Sequence, residues 1–138
     1  MRFLAAITLM ILALALVQPV AAQSFKPDYD AGLTAYERGD HGTALKHWRP
    51  LAKQGDAQSQ YRLGYMYRYG HGVTRDYKEA VRWWRKAAEQ GNADAQFFLG
   101  EMYRYGQGVT QDDKEDVKWF SKAAKQGLTF RVNVTPEF

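Results

Sequence analysis

The chain has 138 residues, of which 46% are hydrophobic and 25% charged, with a formal net charge of +4 and no cysteine. This length suits one small domain, and the apolar content is too high for an intrinsically disordered protein. The lack of cysteine excludes disulfides and thiolate metal sites, and basic residues spread among acidic ones do not indicate nucleic-acid binding.

Residues 1–22 have the pattern of a signal peptide. Arg2 provides a basic start, residues 3–17 form an almost unbroken apolar run, and residues 20–22 (Val-Ala-Ala) place small side chains at the cleavage positions. The apolar run is short for a membrane span, which needs about 20 residues. We therefore expect a mature chain from Gln23 that is periplasmic or secreted and does not span a membrane. An uncleaved anchor is the alternative.

An internal repeat organises the remainder of the chain. Residues 57–92 and 93–128 are identical at 22 of 36 aligned positions, and Trp48 lies 36 residues before Trp84 in a degenerate earlier copy with a shorter inner loop. A period between about 20 and 50 residues is typical of a solenoid, in which each unit buries its apolar face against a neighbour. The sequence predicts three units, at about residues 26–56, 57–92 and 93–127.

Each unit is predicted to contain two helices, here called the A helix and the B helix. In unit 2, residues 57–69 carry apolar and small side chains at helical spacing, and a Gly-X-Gly loop ends this A helix in a left-handed turn. Asp76 is a suitable N-cap for the B helix, which Gly91 ends. Asp56 and Asn92 can cap the A helices that follow. The predicted fold class is therefore all-α.

Three segments of unit 3 resemble the Sel1-like repeat, a relative of the tetratricopeptide repeat. They are residues 93–103 (ADAQFFLGEMY), 106–112 (GQGVTQD) and 117–127 (VKWFSKAAKQG). The resemblance covers two full units and the divergent first one. It implies a right-handed superhelix of three helix-turn-helix repeats that acts as a scaffold or adaptor, in bacteria often an exported one.

The resemblance also implies a partner-binding surface on the concave side of the stack, which the A helices line. The family's groove positions correspond here to Tyr29, Leu33, Tyr36, Glu37, Tyr61, Tyr65, Arg68, Tyr69, Phe97, Glu101, Arg104 and Tyr105. Aromatic and arginine side chains are enriched at binding hot spots, so a protein, a peptide or an acidic segment would suit such a groove. We expect alanine at Arg68 and Arg104 to weaken partner binding without lowering stability. The alternative is that the aromatic rings only pack one helix against the next.

Patterns for catalysis, metals and cofactors are not found. His41, His47 and His71 have no metal-binding spacing, and His71 is expected to be a solvated loop residue. No Ser-His-acid set is visible, and the glycine loops lack the strand and lysine of a phosphate-binding loop. We expect no enzyme activity and no cofactor. A cell-wall-active hydrolase and a self-assembling structural element are the alternative functions.

The end of the stack departs from the repeat pattern. Asp116 stands where Ala44 and Ala80 stand in the earlier units. We expect Asp116 to be exposed, the alternative being a costly unpaired carboxylate in a helix seam. Residues 128–138 alternate between polar and apolar like a strand, and we expect a short extended tail that either covers the last unit or frays. The protein is expected to be a monomer or a weak homodimer formed through the last unit.

Overall fold

The computed structural model of the protein describes residues 24–128, and these residues form helices and loops without a strand. Helices that follow one another in the described part of the chain pack against each other. The predicted all-α fold of three helix-turn-helix units is confirmed. The predicted signal peptide and almost all of the predicted tail lie outside the described residues. The helices are α1 (Tyr29–Glu37), α2 (His41–Lys53), α3 (Ala57–Tyr69), α4 (Tyr77–Glu89), α5 (Ala93–Tyr105) and α6 (Asp113–Lys125).

Every one of these helices begins at an aspartate or asparagine cap. The predicted caps Asp56, Asp76 and Asn92 are confirmed, because each side chain accepts a hydrogen bond from a backbone N–H of the first turn. Each such cap stabilises a helix by about 1 kcal/mol relative to alanine. The A helices of units 2 and 3 end at Gly70 and Gly106, whose φ angles of 69° and 62° are left-handed as predicted.

A buried tryptophan joins the two helices within each of the first two units. In unit 2 the Trp84 ring lies directly against Gly64, where a Cβ atom would collide with the ring. The Trp84 indole N–H donates to the Tyr61 carbonyl oxygen at 3.1 Å, which satisfies the polar group of a fully buried side chain. Unit 1 repeats this arrangement with Trp48 against Gly32. The glycine in each A helix is thus explained by the indole that covers it.

Buried glutamines fix the register between units. The Gln60 side chain donates to the Ala52 carbonyl oxygen at 3.1 Å and accepts from the Gln90 amide at 2.8 Å. Gln96 makes the same bond to Ala88 at 3.1 Å. Because a buried polar group without a partner is costly, these bonds favour one axial position of each unit on its neighbour.

The expectation that Asp116 is exposed is wrong. Its relative exposure is 7%, and its Oδ2 atom accepts a hydrogen bond from Arg104 Nε at 3.1 Å. The equivalent arginine of unit 2, Arg68, instead donates forward to Gln107 of unit 3 at 2.7 Å. Since no described unit follows unit 3, Arg104 bonds to the B helix of its own unit. The carboxylate at position 116 is therefore buried with its Oδ2 atom paired, while its Oδ1 atom has no hydrogen-bond partner among the described residues.

Candidate functional site

The A helices of neighbouring units touch one another through their side chains. Helix α3 contacts α5 directly in addition to the B helices beside it. Tyr36 of α1 meets Tyr65 of α3 edge-on with ring centroids 6.5 Å apart, and Tyr65 meets Phe98 of α5 in the same way at 6.0 Å. The surface formed by α1, α3 and α5 is therefore one continuous side of the described stack and is called the A face below.

Five rings gather where units 1 and 2 meet on the A face. This junction cluster consists of Tyr36, His41, Tyr65, Tyr69 and His71. The two histidine rings are stacked with centroids 4.8 Å apart, and the two tyrosines of α3 lie 4.5 Å apart. Tyr69 is 45% exposed, so its ring is open to an incoming molecule while its inner side rests on Tyr65. The cluster is an aromatic surface with an accessible edge.

His71 lies inside this cluster and is not a solvated loop residue, so that expectation is wrong. Its side chain is half-buried, and its Nδ1 atom lies 2.7 Å from the Tyr36 hydroxyl. Burial, with a smaller contribution from the neighbouring His41, lowers the pKa of His71. Burial also raises the pKa of Tyr36, with Tyr65 adding to the effect. Both groups are therefore neutral at neutral pH, and the Tyr36 O–H can donate to an unprotonated Nδ1.

No sequence signal indicated this role for His71. The equivalent residue of unit 3 is Gln107, so the position resembles a variable loop site. The partners that define its environment, Tyr36 and His41, belong to unit 1 and lie 30 or more residues earlier in the chain. Only the degenerate first unit carries a histidine, His41, at the start of its B helix. The described units therefore form the stacked histidine pair at this junction alone.

The predicted column of Tyr29, Tyr61 and Phe97 takes part in internal packing. The Tyr29 ring centroid lies 5.9 Å from that of Trp48 in its own unit, and the Phe97 centroid lies 5.0 Å from that of Phe120. Burial raises the pKa of Tyr61 to about 12, and the nearby Asp94 adds to the effect. All three rings thus lie on A helices and contact neighbouring aromatic rings or lie partly buried, and their part in partner binding stays a prediction.

The two candidate arginines are also engaged within the protein. Besides its bond to Gln107, Arg68 lies over the Tyr69 ring at 5.6 Å. Arg104 is held by Asp116, and its guanidinium also lies over an aromatic ring of α6 at 4.4 Å. Alanine at either position would remove contacts between units or between helices. We therefore expect alanine at either position to lower the free energy of unfolding, in contrast to the unchanged stability expected from the sequence.

Two further properties hold for residues 24–128. They contain no group of three or more histidine and acidic side chains arranged to hold a metal ion. None of their helices is both long enough and apolar enough to cross a membrane.

A family model described as the Sel1 repeat matches residues 29–56, 57–92 and 93–128 of this chain. The chain belongs to the Sel1 repeat family. The three matched segments coincide with the three helix pairs, and Sel1 repeats commonly mediate protein–protein interaction. The resemblance noted in the sequence is thereby confirmed.

Solved structures give the same result. A Sel1 repeat protein from Oxalobacter formigenes superposes with a TM-score of 0.69 at 37% identity, over 72% of this chain and 41% of that one. A protective antigen present in uropathogenic Escherichia coli strains, with the same fold, gives 0.67 at 40% identity, over 72% and 22%. The chain thus spans less than half the length of either protein.

A third similar structure supports the fold alone. Cysteine rich protein B of Helicobacter pylori superposes with a TM-score of 0.58 at 21% identity, over 71% of this chain and 84% of that one. Together these structures confirm the right-handed superhelical solenoid. No curated protein matches the chain.

Charge is distributed unevenly over this Sel1 repeat stack. The A helices carry three basic and four acidic residues, a net charge of −1, whereas the B helices carry eleven basic and five acidic residues, a net charge of +6. The A face therefore offers nearly neutral, aromatic contact area, and the basic excess lies on the B helices. This distribution does not favour the acidic segment that we expected as a ligand of the A face.

Proposed function

We propose that the protein is a non-catalytic scaffold that binds a protein or peptide partner through its A face, with the junction cluster as the centre of the site. The observation that carries this proposal is the exposed Tyr69 ring held in place by Tyr65 and His71. A preorganised aromatic side chain loses little conformational entropy on binding and contributes a large contact area. Such residues are the usual energetic centre of an interface.

The chemistry of the A face favours an apolar or aromatic peptide segment. The net charge of its helices is close to zero, and Arg68 and Arg104 already have partners within the protein. The Tyr69 hydroxyl can add hydrogen bonds to an extended peptide backbone, whereas the Tyr36 O–H is already engaged with His71. Affinity for a purely acidic segment is expected to be weak by comparison.

Export is part of the same proposal. Residues 1–22 have a signal-peptide pattern, which would leave residues 23–127 as the repeat domain of a periplasmic or secreted protein. N-terminal sequencing of the protein recovered from the culture medium or periplasm tests this point. A mature product that begins at Gln23 supports export, and a product that retains Met1 and stays with the membrane contradicts it.

Site-directed photocrosslinking tests the binding surface. A photoreactive phenylalanine analogue is placed at Tyr69 on the A face or, as a matched control, at the exposed Glu89 on α4. In cells that express the full chain, we expect a discrete adduct from position 69 that is absent from position 89. The adduct should disappear when Tyr65 is also changed to serine. Equal adducts at both positions would contradict the proposal.

A further inference from the structure

Helix α6, the last described helix, exposes an apolar surface. The equivalent surfaces of the other two B helices are covered. Val117 is 63% exposed, whereas its equivalents one and two units earlier, Val81 and Leu45, are 4% and 5% exposed. Those residues are buried because the A helix of the next unit lies across them. Val117 is apolar like these two residues, but no described A helix lies across it.

Two other positions of α6 follow the same pattern. Ala124 is exposed, while the equivalent Ala52 and Ala88 are each 2% exposed. Phe120 is half-buried where Trp84 is fully buried. Val117, Phe120 and Ala124 form what is called the end face below. Apolar positions at helical spacing that stay open on one side indicate a surface made to be covered.

The opposite end of the stack is built differently. In α1, Ala31 and Thr34 are exposed at the places where α3 has Leu63 and Met66, which are 1% and 0% exposed against unit 1. The first A helix therefore lacks the large apolar side chains that an A helix uses to cover a B helix. Head-to-tail stacking of two copies, with α1 of one copy on the end face of another, is disfavoured.

The backbone leaves α6 in the direction that leads to an A helix in the earlier units. Asp56 N–H bonds to the Leu51 carbonyl at 3.0 Å, and Asn92 N–H makes the equivalent bond at 3.1 Å. Leu128 N–H bonds to the Ala123 carbonyl in the same way at 3.3 Å. In both earlier cases the next residues lie across the B helix just completed. Leu128 therefore has the backbone bond that precedes an A helix in the earlier units.

We propose that residues 129–138 dock on the end face in place of a fourth A helix. Leu128 stands where the earlier units have a helix cap, and Phe130, Val132 and Val134 alternate with polar residues. An extended run of ten residues reaches about 33 Å, more than the roughly 20 Å length of the thirteen-residue α6. One side of the segment can thus cover the end face along its whole length.

The test uses the reactivity of a single thiol, because the chain contains no cysteine of its own. Ala124→Cys is made in the full chain, and its rate of labelling by a soluble maleimide is compared with that of the same variant carrying Phe130→Ser, Val132→Ser and Val134→Ser. We expect labelling to be at least about tenfold slower in the first protein. Ala31→Cys at the other end of the stack is the control, and the three serines should not change its rate. Circular dichroism checks that each variant is folded.

Either of two outcomes would overturn the proposal. Equal rates at position 124 with and without the serines would show that the segment does not cover the end face. Protection that grows with protein concentration would show that a second copy covers it instead. Because the end face and the junction cluster lie at different places in the stack, either result leaves the proposed binding function untouched.

Discussion

Units 2 and 3 share 22 of 36 residues but differ in what their common positions do. In unit 2 the B helix is covered on both sides, and Arg68 reaches forward to the next unit. In unit 3 no described helix lies against the outer side of the B helix, and Arg104 bonds to Asp116 within its own unit. The comparison teaches that burial in this solenoid follows from position in the stack as much as from residue type.

The largest expected effect concerns the aromatic residue that joins the two helices of a unit. Trp84→Ala should lower the free energy of unfolding by about 3–5 kcal/mol, because a fully buried indole leaves a large cavity. Phe120→Ala, at the half-buried equivalent position, should cost about 1–2 kcal/mol. Urea denaturation followed by circular dichroism measures both. Equal losses would show that the last unit is packed as tightly as the middle one.

A second contrast lies in the glycines beneath these rings. In Gly64→Ala the new Cβ would collide with the buried Trp84, and overpacking of this kind costs about 1–3 kcal/mol. In Gly100→Ala the Cβ would lie 3.1 Å from the Phe120 ring, which needs to shift by only a few tenths of an ångström, so we expect a loss below about 1 kcal/mol. Thermal unfolding of the two variants provides the measurement. A larger loss at position 100 would contradict the assignment of unit 3 as the looser end.

The helices, their caps and the left-handed glycine turns could be predicted from the sequence because each depends on residues close in the chain. Asp76 and the amides it caps, for example, lie within three residues of one another. The partners of Asp116 and His71 could not be predicted, since they lie 12 and 35 residues away. Both depend on how one helix is placed against another, which a repeat pattern does not specify.

Alanine variants of the two partners in the Arg104–Asp116 ion pair should differ in their effect on stability. Arg104→Ala leaves a buried carboxylate without its partner and should cost about 1–2 kcal/mol, a value reduced because the Arg104 side chain is 48% exposed. Asp116→Ala restores the residue of the earlier units and should change stability by less than about 0.5 kcal/mol. Chemical denaturation distinguishes the two. If Asp116→Ala were the more damaging change, the pair would be a net source of stability rather than a substitute for the alanine of the earlier units.

A smaller effect is expected from pH at the junction of units 1 and 2. Because the folded state lowers the pKa of His71, the unfolded chain binds more protons in acid, and stability is lost as the pH falls below the ordinary histidine value of about 6.5. His71→Gln, which introduces the residue of unit 3, should reduce the drop in melting temperature between pH 7.5 and pH 5. An unchanged drop would place the pH sensitivity elsewhere.

The most direct test of the binding function compares Tyr69 with its equivalent Tyr105, which is 62% exposed but has Glu101 and Gln107 in the places of Tyr65 and His71. Peptides selected from a random library on the intact protein are titrated against wild type, Tyr69→Ser and Tyr105→Ser. We predict that Tyr69→Ser weakens binding at least about tenfold and Tyr105→Ser less than about threefold. Undiminished binding by Tyr69→Ser, or a greater loss from Tyr105→Ser, would contradict a site centred on the junction cluster.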